Sequence, residues 1–383
     1  MKYTKLKCIN QYKNKSINPA KTPDTVFEMY SVPIYETGHP EYLRGNEIAS
    51  NKVIVEKNDI LLCKINPRIN RVWVVADESD KQNIASSEWI VIRNSEYNAE
   101  FLAWYFRSFR FQKLMTSEVT GIGGSLTRAQ PKCVAEYPVP VLDRKKQNEI
   151  VEILNKCKFI IDSRKRELVE LDNLIKARFV EMFGDPVVNE KGWMTKPLLD
   201  MGQCKNGMNF HYDDKGIEIN CLGVGDFKNL SVIDNTEELP TVSLNEMPSE
   251  EYLLKDDDIV FVRSNGNKAL VGRSLAVYPG DVPTTFSGFC IRYRKYDNEI
   301  IVPYLLRVLK TDSMRVKMAG RGANIQNLNQ QILGTLVIPV PPIELQEQFA
   351  NFVKQVDKSK VAIQAALDKS QLLFDSLMQK YFG

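Results

Sequence analysis

The chain has 383 residues, a length typical of two or three domains with full-sized hydrophobic cores. Hydrophobic residues make up 43% and charged residues 26%, an ordinary balance for a soluble globular protein. The formal net charge is only +3, which excludes a strongly basic chain, so any nucleic-acid-binding surface has to be a local patch.

Cysteine and histidine are too scattered for a metal site. No two of the seven cysteines are spaced as C-x-x-C, and the only histidines are His39 and His211. A zinc site needs clustered thiolates and imidazoles, so we expect no metal, and no motif calls for a cofactor. Scattered cysteines fit a reducing compartment, and no apolar run approaches the roughly 18 residues of a membrane span. We therefore expect a cytoplasmic protein without a membrane segment.

Residues 1–140 have the pattern of short strands. Apolar runs separated by polar turns stand at 53–55, 60–62, 72–75 and 89–92. One amphipathic helix is expected near 99–115. Together these elements predict an α+β unit.

A long helix is predicted after the prolines at 138 and 140. Asp143 supplies an acidic start, and Gly184, Asp185 and Pro186 supply a glycine C-cap followed by proline. Between them an apolar stripe with a period of seven residues runs through Leu154, Ile161, Leu168, Ile175 and Met182.

The chain then repeats this plan. Residues 59–66 match 258–265, and residues 121–126 match 320–325, both at an offset of 199. Residues 137–143 with Gln147 match 338–344 with Gln348 at an offset of 201, which predicts a two-residue insertion between the copies. The second copy has strand-like runs at 259–262, 275–277 and 289–291, one expected helix near 302–318, and a second stripe through Phe349, Val356, Ile363 and Leu377.

The predicted organisation is a duplicated globular unit, each copy followed by a long helix. The boundaries are 1–142, 143–184, 185–342 and 343–383. Each helix, at about 1.5 Å per residue, is roughly 55–60 Å long and leaves one narrow apolar stripe to cover. We expect the two helices to cover each other, whereas the alternative is that each packs on its own globular unit.

Loops with basic and amide side chains occur at equivalent places in both copies. Arginine and lysine suit guanine edges and phosphates, and asparagine and glutamine suit adenine edges. The alternative interpretation is that these are ordinary solvated turns. In the first copy the candidate DNA contacts are Lys64, Asn66, Arg68, Asn70, Arg71, Ser125 and Arg128. In the second copy they are Arg263, Asn265, Asn267, Lys268, Arg273, Arg321, Asn324, Gln326 and Asn327.

Catalytic motifs are missing. An adenine methyltransferase needs a [DN]-P-P-[YF] turn, and Asn66-Pro67-Arg68-Ile69 has the wrong third and fourth residues. A phosphate-binding P-loop, G-x-x-x-x-G-K-[ST], is absent. We therefore expect a protein that is not itself an enzyme.

Several of these segments resemble a known family. The runs 59–75 and 261–273 look like target recognition domains of Type I restriction-modification specificity subunits. The junction 183–186 and the Gly192-Trp193 that opens the second copy are also similar to that family, whereas the first copy, which begins Met1-Lys2-Tyr3, has no such Gly-Trp pair.

The resemblance implies a specific architecture and a specific set of partners. It implies two target recognition domains separated by two long helices that form an antiparallel coiled coil, each domain reading one half of a split double-stranded DNA site. It also implies assembly with two modification (methyltransferase) subunits and with restriction (translocase and nuclease) subunits. The competing hypothesis is a non-catalytic coiled-coil scaffold whose globular units bind protein.

Overall fold

The computed structural model describes residues 2–76, 78–117, 119–120, 127–210, 216–227, 230–319 and 327–383. The chain divides into two compact units. Unit 1 comprises Met1–Arg166 and Gln364–Gly383, and unit 2 comprises Glu167–Ile363. Among the helices so described, none has both the length and the apolar character that crossing a bilayer demands.

Two helices of 40 residues dominate the helical content. They are much longer than the others, which have at most nine residues in the described parts of the chain. In chain order the helices are α1 Leu6–Ile9, α2 Ala99–Arg107, α3 Phe109–Ser117, α4 Pro131–Val134, α5 Arg144–Phe183, α6 Val302–Leu309, α7 Asp312–Ala319, α8 Gln330–Gly334 and α9 Ile343–Phe382.

Unit 1 contains the first twelve strands of the described residues. They are β1 Lys2–Lys5, β2 Ser16–Ile17, β3 Val26–Tyr30, β4 Glu41–Arg44, β5 Lys52–Ile54, β6 Ile60–Cys63, β7 Val72–Val74, β8 Gln82–Ser86, β9 Trp89–Ile92, β10 Val119–Thr120, β11 Arg128–Ala129 and β12 Pro138–Val141. A five-stranded sheet has the order β2-β5-β8-β3-β4, and an antiparallel three-stranded sheet has the order β7-β6-β9. Two further pairs, β1-β12 and β10-β11, are antiparallel.

Unit 2 contains the remaining ten strands of the described chain. They are β13 Thr195–Pro197, β14 Gly202–Asn206, β15 Ile217–Leu222, β16 Val232–Ile233, β17 Thr241–Leu244, β18 Asp258–Val262, β19 Ser274–Val277, β20 Thr284–Phe286, β21 Cys290–Lys295 and β22 Val337–Pro339. They form sheets of order β14-β21-β18-β19-β16 and β17-β15-β20, and the pair β13-β22.

The two units share one strand plan, as the duplication predicts. The antiparallel trio β7-β6-β9 corresponds to β19-β18-β21. In unit 1 β3 pairs parallel with β8 and antiparallel with β4, and in unit 2 β15 pairs parallel with β20 and antiparallel with β17. The α+β class and all seven predicted strand positions are confirmed.

A buried ion pair marks the start of the equivalent strands. The Asp59 carboxylate accepts two hydrogen bonds of 2.7 Å from Arg93, and a backbone N–H three residues upstream donates to it at 2.8 Å. Asp258 accepts the same two bonds from Arg294, also at 2.7 Å, and the same backbone bond at 2.8 Å. Each carboxylate is buried, and its guanidinium and backbone partners compensate the cost of removing it from water.

Two sequence-based expectations were wrong in detail. The single helices expected near 99–115 and 302–318 are each two helices. The first is interrupted at Ser108, whose backbone is extended, and the second is interrupted after α6, which ends at its C-cap Lys310. The match of Gln147 to Gln348 is also wrong. Gln147 donates to the carbonyl of Leu142, and Gln346 makes the equivalent bond to Pro341, both at 2.8 Å. The counterpart of Gln147 is therefore Gln346, at an offset of 199, and not Gln348.

In unit 1 the helix segments from α5 and α9 pack on each other and run antiparallel. The Arg164 guanidinium donates to the carbonyl of Ala366 at 2.7 Å and also to the Ser370 hydroxyl. Ile150 and Leu154, about three to four turns earlier on α5 than Arg164, belong to the core that includes the far end of α9 around Phe382. Early residues of α5 thus meet late residues of α9.

In unit 2 the other segments of the same helices are antiparallel too. Lys360 and Asp172 form an ion pair at 2.7 Å, and the rings of Phe179 and Phe349 lie 5.5 Å apart. The predicted apolar stripes lie on the inward faces, where every stripe residue named above is buried or half-buried. Gly184 ends α5 with φ at +74°, the left-handed conformation expected of a glycine C-cap.

Candidate nucleic-acid interface

In unit 1 two of the predicted basic segments are hydrogen-bonded to each other. The 64–71 loop leaves the end of β6, and it closes on itself where the N–H of Cys63 donates to the carbonyl of Arg71 at 3.0 Å. The first loop residue, Lys64, accepts a bond of 2.8 Å from the N–H of Ala129. Asn66 donates through its N–H to Thr127 at 2.8 Å. These bonds join residues 64–66 to residues 127–129 at one edge of the unit.

The same arrangement occurs in unit 2. The 263–273 loop leaves β18 and closes where the N–H of Val262 donates to the carbonyl of Arg273 at 2.9 Å. The first loop residue, Arg263, accepts a bond of 2.8 Å from the N–H of Leu328. Lys64 and Arg263 are 199 residues apart, as are Ala129 and Leu328, so the contact is duplicated along with the strands.

The side chains of the unit 1 loop divide into two groups. Arg68 is exposed on the short 3-10 turn Pro67–Ile69. Asn66 and Asn70 flank that turn with φ of 47° and 38°, a left-handed conformation that asparagine tolerates better than most residues. The amide of Asn70 donates to the carbonyl of Arg107 at 3.2 Å. A structural reason thus accounts for the two asparagines, whereas among the described residues of unit 1 no hydrogen bond or ion pair accounts for the exposed Arg68 on the turn.

Two other cations of unit 1 make contacts within the protein. The Lys64 ammonium donates to the carbonyl of Ser87 at 2.7 Å, and Arg128 pairs with Glu88 at 3.2 Å. Because this ion pair is half exposed, it contributes little to stability and leaves Arg128 free to exchange partners. Arg71 is half-buried at the end of the loop.

In unit 2 the asparagines also shape the loop. The Asn265 side chain accepts from the N–H of Asn267 at 2.8 Å, and the Asn267 side chain caps the short turn Lys268–Leu270. Lys268 is exposed on that turn, and the Arg263 guanidinium donates to the carbonyl of Gly288 at 3.3 Å. Arg273 is half-buried, and Asn327 is exposed next to Leu328.

Four predicted contacts lie outside the described residues. They are Ser125, Arg321, Asn324 and Gln326. The described residues nevertheless place the 64–71 loop beside residues 127–129 in unit 1 and the 263–273 loop beside Leu328 in unit 2.

The structure adds one position that the sequence reasoning missed. The N–H of Lys64 donates to the carbonyl of Glu88 at 3.1 Å, and the N–H of Arg263 donates to the carbonyl of Phe289 at 2.7 Å. Glu88 and Phe289 therefore occupy the same place in the two units, beside the first residue of each basic loop. In the sequence, the only signal of this equivalence is the spacing of 201 residues between Glu88 and Phe289, because their side chains are unlike.

Two of the buried cysteines are poorly reactive. All seven cysteines lie in the described part of the chain and are free thiols. Burial raises the pKa of the Cys63 thiol, and it raises the pKa of Cys221 to about 12, so both stay protonated and poorly nucleophilic near neutral pH. His39 is exposed and lies 3.1 Å from Glu78, and His211 lies outside the described residues.

Comparison with known families gives one match to a family model. Residues 190–371 match the Type I restriction modification DNA specificity domain. The match spans the second globular unit and most of the helix after it.

Curated relatives carry the same description. The chain is 24% identical over 307 residues to the Type I restriction enzyme StySPI specificity subunit of Salmonella potsdam, covering 74% of this chain and 64% of that protein. The matched part is thus less than two thirds of that relative's length. A second relative, the MjaVIII specificity subunit of Methanocaldococcus jannaschii, is 20% identical over 376 residues, covering 90% of this chain and 83% of its own.

Solved structures agree with the fold. A chain from work on complex assembly and conformational transition of the type I R-M system is similar with a TM-score of 0.62 at 18% identity, covering all of this chain and 97% of its own. The Type-I restriction-modification system S subunit from M. genitalium is similar with a TM-score of 0.58 at 14% identity, again over the whole chain and 96% of that structure. Residues 190–371 thus match a Type I restriction modification DNA specificity domain, and the chain as a whole is similar to Type I restriction enzyme specificity subunits.

Proposed function

We propose that this chain recognises DNA sequence for a Type I restriction-modification complex and performs no chemistry of its own. Each unit reads one half of a bipartite double-stranded target through the edge that carries its basic loop. The observation that carries the proposal is the duplicated bond from residue 129 to residue 64, and from residue 328 to residue 263, which gathers basic and amide side chains at equivalent edges. Such side chains suit base edges and phosphates.

The candidate contacts have different proposed roles. Arg263 lies at the rigid base of its loop, where a guanidinium held by a carbonyl suits bidentate recognition of guanine. Arg68 and Lys268 lie on exposed turns and suit phosphates, which fix position without selecting sequence. The four candidates outside the described residues keep their predicted role as part of the same proposal.

The proposed partners follow from the similarity to Type I restriction enzyme specificity subunits. They are double-stranded DNA, two modification subunits that methylate adenine, and restriction subunits. The boundaries 1–142, 143–184, 185–342 and 343–383 remain the proposed functional division, with the globular parts reading DNA and the helices docking the modification subunits. The cytoplasm is the proposed location, because it holds the DNA.

DNA binding by the purified full chain tests this function. We expect weak binding to random duplex DNA whose affinity falls steeply as salt rises from about 50 to 200 mM, because bound phosphates release counterions. A protein-binding scaffold would show no such binding, and that result would refute the proposal.

Two variants and a matched control assign the surface. Lys268→Ala should weaken binding to all duplexes alike and reduce the salt slope by about one. Arg263→Ala should relax the preference at one base pair and cost about 1–3 kcal/mol on the cognate duplex. Lys255→Ala removes another exposed charge, at the opposite end of β18, where it pairs with Glu250, and should leave binding unchanged.

A further inference from the structure

Phe289 is an exposed aromatic residue beside the basic loop of unit 2. Its side chain is 62% exposed, although a phenyl ring gains free energy by leaving water. Exposed apolar side chains scattered over a surface need no explanation, but this one adjoins Arg263, whose N–H donates to the Phe289 carbonyl. The ring therefore belongs to the proposed DNA-reading edge.

The backbone that carries Phe289 is held from several sides. The N–H of Ser287 donates to Leu222 at 3.0 Å, and the N–H of Gly288 donates to Met208 at 2.6 Å. The N–H of Phe289 itself donates to the Ser287 hydroxyl at 3.3 Å. A Cβ atom at Gly207 would collide with the backbone of Ser287, so a glycine there permits this close approach. The turn that carries the ring is hydrogen-bonded on several sides, which suits recognition because little conformational freedom is lost on binding.

Unit 1 has a different side chain at the position equivalent to Phe289. Glu88 occupies the equivalent position, and its carboxylate pairs with Arg128 at 3.2 Å. An acid in one unit and a phenyl ring in the other are not required by the shared backbone. A position with the same backbone contact in both units but with unlike side chains is suited to give the two units different base preferences.

We propose that Phe289 contacts the C5-methyl group of a thymine in the half-site read by unit 2, an inference that rests on the proposed function. Apolar side chains recognise that methyl group in the major groove, and neighbouring guanidinium and amide groups read base edges from the same groove. The role is a specificity contact that contributes to base choice. Insertion of the ring between base pairs is the competing arrangement.

Thymine-to-deoxyuridine substitution tests the contact, because deoxyuridine differs only by the missing methyl group. The probe is a duplex with the chain's own motif, identified by mapping methylated adenine in cells that carry it with modification subunits. Each thymine of the half-site for unit 2 is replaced in turn. The full chain should lose about fourfold in affinity at one position, the value of one buried methyl group.

Variants distinguish this contact from a general loss of binding. Phe289→Ala should bind the thymine and deoxyuridine duplexes equally. Tyr296→Ala is the matched control, because Tyr296 is also 62% exposed but follows the other end of β21, and it should keep the fourfold difference.

Three results would overturn the inference. They are a half-site without thymine, a wild-type chain indifferent to every deoxyuridine, and a Phe289→Ala chain that still discriminates. Increased 2-aminopurine fluorescence at a base step, lost in Phe289→Ala, would indicate insertion and would also overturn it. In each case salt-dependent binding of the motif would leave the proposed function standing, whereas failure of the wild-type chain to bind any duplex would refute both.

Discussion

Arg93 donates two hydrogen bonds of 2.7 Å to the carboxylate of Asp59, which is only 1% exposed. The pair anchors the start of β6, the strand that leads into the basic loop of unit 1. Arg93→Leu would leave a buried carboxylate without its cation. We expect the free energy of unfolding, measured by urea denaturation, to fall by about 3–5 kcal/mol. A loss below about 1 kcal/mol would show that the pair is not needed for the fold.

Arg292 in unit 2 is a buried arginine that, unlike Arg93, is not paired closely with a carboxylate. It is 2% exposed, its Nε and Nη1 atoms have no hydrogen-bond partner within the described structure, and Asp258 lies 4.0 Å away, already paired with Arg294. Unit 1 has Val91 at the equivalent place, opposite Leu61 as Arg292 is opposite Val260. Arg292→Val should therefore leave the free energy of unfolding unchanged or raise it by about 1–4 kcal/mol. A clear decrease in the urea midpoint would contradict this.

The packing of α5 against α9 gives a third prediction. Ile161 on α5 is 2% exposed, and Ile161→Asp would place an unpaired charge in a packed core. The melting temperature should fall sharply, with a loss of about 3–5 kcal/mol. Val169→Asp on the same helix serves as control, since Val169 is 57% exposed and its replacement should cost little. Equal melting temperatures of the two variants would contradict the burial of Ile161 between the helices.

Lys310 gives a prediction about pH. Burial lowers its pKa to about 8, and the nearby positive charges of Arg307 and Lys360 act in the same direction. The carboxylates of Asp172 and Asp357 oppose the shift only in part. The folded state therefore releases the Lys310 proton near pH 8, whereas the unfolded chain keeps it up to about the ordinary lysine pKa of 10.5.

Because the unfolded chain holds more protons in that window, Lys310 makes stability rise with pH. The penalty of the charged lysine is present below pH 8 and fades between about 8 and 10.5. The contribution is on the order of 1 kcal/mol per pH unit at most. Lys310→Met should be more stable than wild type at pH 7, and the difference should shrink toward pH 10 in urea titrations. A difference independent of pH would show that Lys310 does not titrate in this window.

The sequence predicted repeated features well and solitary ones poorly. The sequence predicted the strands around Asp59 and Asp258, the two long helices and the cap at Gly184. It did so because hydrophobic periodicity and helix termination signals are local. The partners Arg93 and Arg294 were not, since a contact between strands more than 30 residues apart has no local signature. The break at Ser108 also escaped prediction, because the apolar pattern continues through it.

The candidate site shows the same limit. Basic loops at 64–71 and 263–273 were visible as composition, but composition does not separate an asparagine that shapes a turn from one that faces a ligand. Asn70 bonds to the carbonyl of Arg107, and Asn267 caps a short turn, so their amides have structural roles that only coordinates reveal. Phe289 was overlooked because its counterpart is an acid.

The most direct test of sequence reading by two separate units is a map of methylated adenine in cells. Cells would carry the modification subunits with either the intact chain or a chain whose residues 187–340 are exchanged for the corresponding unit of another specificity subunit. The account predicts a split motif in the first case, and in the second a motif with one half changed and the other half and the spacer kept. A change in both halves, or the same motif in both cells, would contradict it.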